Sequence, residues 1–119
     1  KRLRVSGGIV HAFNGSLQQA QQNMDLGFSV GFGGMLTFER SSKLLALAAA
    51  LPLQSILLET DAPDMTVAQH RGERNSPEYL PFCLEALAEV RDTDPQEVAR
   101  ITTQNVRDRL GLDCWQPPV

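Results

Sequence analysis

The stretch SILLETDAP, residues 55–63, decides the fold, because a continuous apolar run passes directly into two carboxylates and a proline. Such runs are typical of strands that are buried on both faces of a parallel sheet. Glu59 and Asp61 are two residues apart, so on a strand both side chains point to the same side. Two carboxylates there are costly unless cations or donors satisfy them. The stretch therefore predicts a buried strand with functional carboxylates at its carboxyl end.

Strand and helix patterns alternate along the rest of the chain. The other predicted strands are residues 8–13 and 28–32, and the predicted helices begin at Ser16, about Glu39, Ser76 and Asp94. Ser16 with Gln19 forms a capping-box pattern, and Gly111 ends the last helix. The order β-α-β-α-β-α-α indicates an α/β fold with a parallel sheet and right-handed crossovers. Three such strands leave sheet edges and one sheet face uncovered, so we expect self-association or a larger polypeptide.

Composition excludes several classes of protein. The 119 residues are the size of one small domain, and a hydrophobic fraction of 42% with a charged fraction of 21% is typical of folded chains. A net charge of −3 excludes duplex binding through a broad cationic face. No apolar run has the ~18 residues of a membrane span, and no signal peptide is visible. We expect a cytoplasmic protein without membrane contact, in which Cys83 and Cys114 are free thiols.

Two predicted strands end in side chains that can bind metal, His11 on the first and Asp61 on the third. Taking these strands as neighbours, we expect their tips to converge on a shared cation pocket, because parallel strands present ligands at their carboxyl ends. Each residue also has a purely structural interpretation. A lone strand histidine is often a satisfied core residue, and Asp61 could cap a turn before Pro63. Asn105 is interpreted as a buried hydrogen-bonding residue of the last helix.

Three short motifs resemble one known family. They are HAFNG at residues 11–15, LLETDAP at residues 57–63 and RNSP at residues 74–77. Together they are similar to the signatures of the TatD family of metal-dependent deoxyribonucleases, and GSLQQA at residues 15–20 points to its YjjV-like branch. The resemblance extends from Gly8 to Leu112. It implies that residues 1–112 are the C-terminal portion of a (β/α)₈ TIM-like barrel, followed by a tail at residues 113–119.

The same resemblance implies roles for individual residues. His11 and Asp61 correspond to metal ligands of a two-metal site, and Asp61 also helps to activate water. Glu59, Arg71, Arg74 and Asn75 are assigned to substrate phosphate or to support of the metal ligands. His70 lies mid-loop and is expected to be solvated or to face substrate. The metals would be Mg, Mn or Zn, two in the intact protein.

The function implied is phosphodiester hydrolysis of DNA by metal-activated water, on a nucleic acid end or single strand. Only part of the family's ligand set is present, so this chain by itself is expected to be inactive or nearly so. Two alternatives stay open. The chain could be a catalytically silent structural module that self-associates or pairs with an N-terminal part. It could also belong to a barrel hydrolase that acts on a non-nucleic ester or amide.

Overall fold

The computed structural model describes residues 7–112. Their order of elements is the predicted one, with strands β1 (Gly8–Val10), β2 (Phe28–Phe32) and β3 (Ile56–Leu58), and helices α1 (Leu17–Asp25), α2 (Ser42–Ala50), α3 (Leu80–Val90) and α4 (Pro95–Leu110). Short 3₁₀ turns lie at Gly34–Thr37, Leu53–Ser55, Ala68–His70 and Pro77–Tyr79. The α/β class is thereby confirmed. Cys114 and the predicted tail lie outside the described residues.

All three strands are parallel, and β2 lies in the middle of the sheet. The register pairs Ile9 with Ser29 and Gly31 with Leu57. One expectation is wrong, since the first and third strands are not neighbours. Their carboxyl ends lie on either side of β2, so any site that they share must be formed across the end of that strand.

The helix ends follow the predicted signals in three places and differ in two. Ser16 and Gln19 form the reciprocal capping box of α1, Asp94 accepts from the Gln96 amide at the start of α4, and Gly111 ends α4 in the left-handed region at φ 66°. The prediction that α2 begins near Glu39 is wrong. The polar segment before Ser42 stays non-helical, because Phe38 adopts an extended conformation and is buried.

The start of α3 also differs from the prediction. Ser76 was predicted to cap it, but its side chain makes no capping hydrogen bond. A 3₁₀ turn over Pro77–Tyr79 comes first, and the α-helix begins at Leu80. A proline at the first helical position favours a helical start without deciding between the two helix types.

The core lies between the sheet and the helices. Its fully buried members include Val30, Phe32 and Ile56 from the strands and Leu87 and Val98 from α3 and α4. Burial of each such side chain contributes about 1.5–3 kcal/mol before entropy is counted. Among residues 7–112, the structure contains no helix with the length and apolar character needed to cross a bilayer.

Buried polar side chains join the helices to the carbonyl groups of other elements. Asn105 of α4 donates to the Leu53 and Ile56 carbonyls at 2.8 and 2.7 Å. This confirms its interpretation as a buried hydrogen-bonding residue. Arg91 after α3 donates to three carbonyls around the end of α2, those of Ala48, Ala49 and Leu51. These contacts fix α3 and α4 against the elements that lead into β3.

Candidate metal centre

Three ionisable side chains meet at the carboxyl end of the sheet. His11 follows β1, and Glu59 and Asp61 follow β3. The His11 Nε2 atom lies 2.5 Å from Asp61 Oδ1 and 3.6 Å from Glu59 Oε1. The predicted convergence of the two strand tips is therefore present, and so is the predicted placement of both carboxylates on one side.

The position of Glu59 in this cluster depends on glycines at the end of β2, the strand between β1 and β3. A Cβ atom at Gly31 of β2 would collide with the Glu59 carboxylate, and one at Gly33 would lie 3.1 Å from the Glu59 carbonyl oxygen. Gly34 allows a second close approach, since a Cβ there would lie 2.7 Å from the Met65 carbonyl oxygen. These glycines permit backbone and carboxylate to approach where larger side chains would collide.

Glu59 joins the two outer strands through its side chain. Its carboxylate accepts a hydrogen bond from the Ala12 backbone amide, next to His11. Ala12 has a φ of 47°, in the left-handed region that costs a non-glycine residue about 1–2 kcal/mol. The segments that follow β1 and β3 are both hydrogen-bonded to β2. Phe13 N donates to Gly31 O, and Glu59 N donates to Phe32 O, each at 3.0 Å. Glu59 thus holds the turn that presents His11.

The electrostatics of the cluster favour a cation. Burial raises the pKa of Glu59, and the neighbouring Asp61 charge raises it further, while the Ala12 amide and His11 lower it. The His11 side chain is 61% exposed, but those of Glu59 and Asp61 are only 13% and 19% exposed. Two poorly solvated carboxylates therefore lie beneath an accessible imidazole, an arrangement that a bound cation would stabilise.

The donor atoms suit a divalent metal in kind. An imidazole nitrogen and carboxylate oxygens bind zinc, manganese or magnesium. They fall short in number, because within residues 7–112 no group of three or more His, Cys, Asp or Glu side chains is arranged to hold a metal ion. Zinc sites use three or four protein ligands. The residues fit one side of a metal site, and the rest of its ligands would have to come from elsewhere.

Comparison with known proteins identifies the family of the chain. The sequence model of the family described as TatD related DNase matches residues 1–111. The chain belongs to this family. It is 44% identical over 98 residues to the uncharacterized metal-dependent hydrolase YjjV of Escherichia coli, covering 82% of this chain and 38% of that protein. A Haemophilus influenzae metal-dependent hydrolase is 40% identical over 106 residues, covering 88% of this chain and 40% of the relative.

Solved structures of TatD proteins share the fold of this chain. The crystal structure of E. coli YjjV, described as a TatD homologue, superposes with a TM-score of 0.79 at 43% identity, covering 84% of this chain and 39% of that one. A TatD family hydrolase from Entamoeba histolytica shares the fold with a TM-score of 0.71 at 20% identity, covering 87% of this chain and 42% of that one. The chain thus spans about two fifths of the length of the relatives that it matches.

Asn75, from the RNSP motif of this TatD-family chain, lies beneath the loop that follows Asp61. It is 4% exposed, and its side-chain amide donates to the Asp64 carbonyl at 2.8 Å. Its backbone amide donates to the Pro63 carbonyl at 2.9 Å, and its Oδ1 accepts from Ser76 N. Asn75 therefore fixes the backbone after Asp61 in the structure. A direct role in substrate binding stays a prediction.

The two arginines of the long loop do not join the cluster. Arg71 is exposed, with its guanidinium 5.3 Å from the centre of the Phe38 ring. Arg74 is exposed beside a shallow cavity that Ala62 and Pro63 also line. Neither forms an ion pair within the described part of the chain. Both side chains are free to meet an anion.

His70, which is expected to be solvated or to face substrate, is 28% exposed and contacts side chains of the loop and of α3. Its Nδ1 atom lies 2.7 Å from Glu73 Oε2, and its ring stacks on Tyr79 with centroids 3.8 Å apart. The ring also meets the edge of Phe82 at 5.6 Å. Packing against these aromatic residues makes it part of the connection between the loop and α3.

Sequence reasoning missed a cavity of about 480 Å³ that has Asp61 in its wall. Arg40 and Lys43 also line it. The available signal was two basic residues flanking a Ser-Ser pair, between the end of a strand and the start of a helix. Such positions in parallel α/β proteins are where anionic ligands bind.

Proposed function

We propose that this chain forms part of the active site of a TatD-type metal-dependent hydrolase that cleaves phosphodiester bonds in DNA. The observation that carries the proposal is the convergence of His11 Nε2 and Asp61 Oδ1, 2.5 Å apart, beside a second carboxylate. Membership of the family supports hydrolysis, and the donor types support a divalent metal. The deoxyribonuclease activity is inferred from the family description.

Each residue of the cluster has a separate task in this proposal. Asp61 would hold a metal ion through its carboxylate, and it would orient the attacking water and accept its proton. His11 would hold metal through Nε2, and Glu59 positions the His11 turn by accepting from the Ala12 amide. When bound, the ions polarise the phosphoryl oxygen and lower the pKa of the attacking water. Arg71 or Arg74 anchors a substrate phosphate from the exposed loop.

The rest of the barrel completes the site. We infer that β1, β2 and β3 correspond to strands six to eight of a (β/α)₈ barrel, with residues 1–112 as its C-terminal portion. The missing ligands would then belong to preceding strands. Relatives whose length is about two and a half times the matched segment support this inference. The isolated chain would be nearly inactive, and it would pair with that N-terminal part or with itself.

The substrate in this proposal is a nucleic acid end or a single strand. A net charge of −3 does not support binding through a broad cationic face. A few local arginines at the mouth of a pocket are sufficient to hold one strand.

Complementation tests the proposal directly. The N-terminal three fifths of E. coli YjjV would be mixed with this chain, and cleavage of a single-stranded oligonucleotide would be followed with Mn²⁺ or Mg²⁺. We expect turnover only in the mixture, and at least a 100-fold loss in Asp61→Asn and His11→Gln. The matched control is Asp25→Asn, which removes one exposed carboxylate of α1 and should leave the rate unchanged.

Metal binding by this chain alone gives a second measurement. Mn²⁺ should broaden the imidazole NMR signals of His11, and Asp61→Asn should abolish the effect while His70 stays sharp. Oligonucleotide cleavage that is unchanged in Asp61→Asn would contradict the assigned role. Cleavage of lactones or amides in preference to oligonucleotides, across a substrate panel, would favour the non-nucleic alternative.

A further inference from the structure

A cavity of about 480 Å³ opens beside the candidate metal centre, between the loops that follow β1 and β2. Asp61 lines it, so the cavity and the metal centre share this residue. Its size lies within the usual range of small-molecule sites, about 300–1,000 Å³. A substrate that is held at Asp61 would therefore extend into this space.

Positive charge lines part of the cavity wall. Arg40 and Lys43 are both exposed, and neither forms an ion pair with any residue between 7 and 112. Arg40 also lies over the Phe38 ring, 5.3 Å from its centre, which orients the guanidinium. Between these two cations in the sequence, Ser41 and Ser42 also line the cavity, and the Ser41 side chain makes no capping hydrogen bond. This part of the wall suits an anion with several oxygen atoms.

The remaining wall is apolar. Phe13 and Phe32 line it and are buried, whereas Met35 and Met65 are 37% and 50% exposed. Exposed methionines are flexible and polarisable, and their sulfur atoms make favourable contacts with aromatic rings. An apolar wall of this kind suits a flat ring or a sugar more than a free inorganic ion.

We propose that this cavity binds the nucleotide adjacent to the cleaved phosphodiester. Its outer phosphate lies between Arg40 and Lys43, and its sugar and base lie against the two methionines. The inference rests on the proposed function, because Asp61 supplies the link between the cavity and the reacting phosphate. It makes an oligonucleotide of at least two nucleotides the preferred ligand, in place of a simple phosphate ester.

Binding can be measured without catalysis or metal. The probe is 5′-fluorescein-labelled tetrathymidylate, followed by fluorescence anisotropy with the 119-residue chain in EDTA. Arg40→Gln/Lys43→Gln should weaken binding about tenfold at 50 mM salt. It should also reduce the slope of log affinity against log salt by about 0.7, because the two cations together neutralise one phosphate of a single strand. The control, Arg100→Gln/Arg107→Gln, removes two charges from α4, which contributes no residue to the cavity wall.

Each result decides the proposal. A selective loss in Arg40→Gln/Lys43→Gln, with thymidine 5′-monophosphate competing more weakly than tetrathymidylate, supports it. Equal losses in the two double variants, absence of binding by the unmodified chain at 20 mM salt, or equal competition by inorganic phosphate would overturn it. Because EDTA removes the metal, failure of the cleavage assay would count against the proposed function and leave this result intact. Lys43→Gln alone, with circular dichroism, shows whether the change acts without unfolding.

Discussion

The imidazole of His11 lies 2.5 Å from the carboxylate of Asp61, although the two strands that carry them are separated by β2. Beside this contact, Gly31 of the middle strand leaves room for the Glu59 carboxylate at the carboxyl end of the sheet. Glu59 in turn accepts from the Ala12 amide and fixes the turn beside His11. The candidate site is thus built across a strand that contributes no ionisable side chain to it.

Gly31→Ala tests the space that this arrangement requires. The new methyl group would meet the Glu59 carboxylate, and forced overpacking typically costs about 1–3 kcal/mol. Urea unfolding should show a loss of stability in this range. The double variant Gly31→Ala/Glu59→Ala should lose less than the sum of the two single changes, since the clash is absent. Strict additivity would show that Gly31 and Glu59 do not interact.

Replacement of Glu59 separates its hydrogen bond from its charge. Glu59→Ala leaves the partly buried Ala12 amide without its partner, so the free energy of unfolding should fall by about 1–2 kcal/mol. Glu59→Gln keeps a carbonyl oxygen as acceptor and removes the buried charge. We expect Glu59→Gln to unfold close to the unmodified chain and Glu59→Ala to unfold at clearly lower urea concentration. The reverse order would contradict the hydrogen-bonding role.

Asn105→Ala tests the connection between α4 and the start of β3. Two buried carbonyls, those of Leu53 and Ile56, lose their donor, so the free energy of unfolding should fall by about 2–4 kcal/mol. Asn23→Ala is the matched control, because that side chain makes one solvent-exposed bond to the Gln19 carbonyl. Its cost should stay within about 0.5 kcal/mol. Equal losses in a urea titration would refute the assignment.

Cys83 gives the chain a dependence on alkaline pH. Burial raises the pKa of Cys83 from 9.0 to about 11. Between these values the unfolded state loses the thiol proton while the folded state keeps it, so stability falls as pH rises above about 9. The free energy of unfolding in a Cys114→Ser background should decline more steeply from pH 9 to 10.5 than in the same background with Cys83→Ala. Parallel curves would show that Cys83 does not contribute.

Local signals predicted much of the fold from the sequence. The Ser16–Gln19 capping box and Gly111 lie where the chain needs them, because capping depends on residues a few positions apart. The sequence predicts strand β2 at its observed bounds, Phe28–Phe32, because glycines flank this apolar run on both sides. The predicted start of α2 was wrong because the buried Phe38 is extended and a turn follows it at Glu39 and Arg40, and the burial of Phe38 is a tertiary effect.

By itself the sequence determined the order of elements, the family and the residue types of the candidate site. Period-two alternation placed Glu59 and Asp61 on one side, and that property is local. Only the tertiary structure decided that β2 separates the two strands, that Gly31 admits Glu59 and that Arg40 and Lys43 line a cavity shared with Asp61. These relationships depend on how strands pair and helices dock, which involves residues far apart in the chain. The spacing of residues along the sequence does not determine which of these distant residues lie close together in the fold.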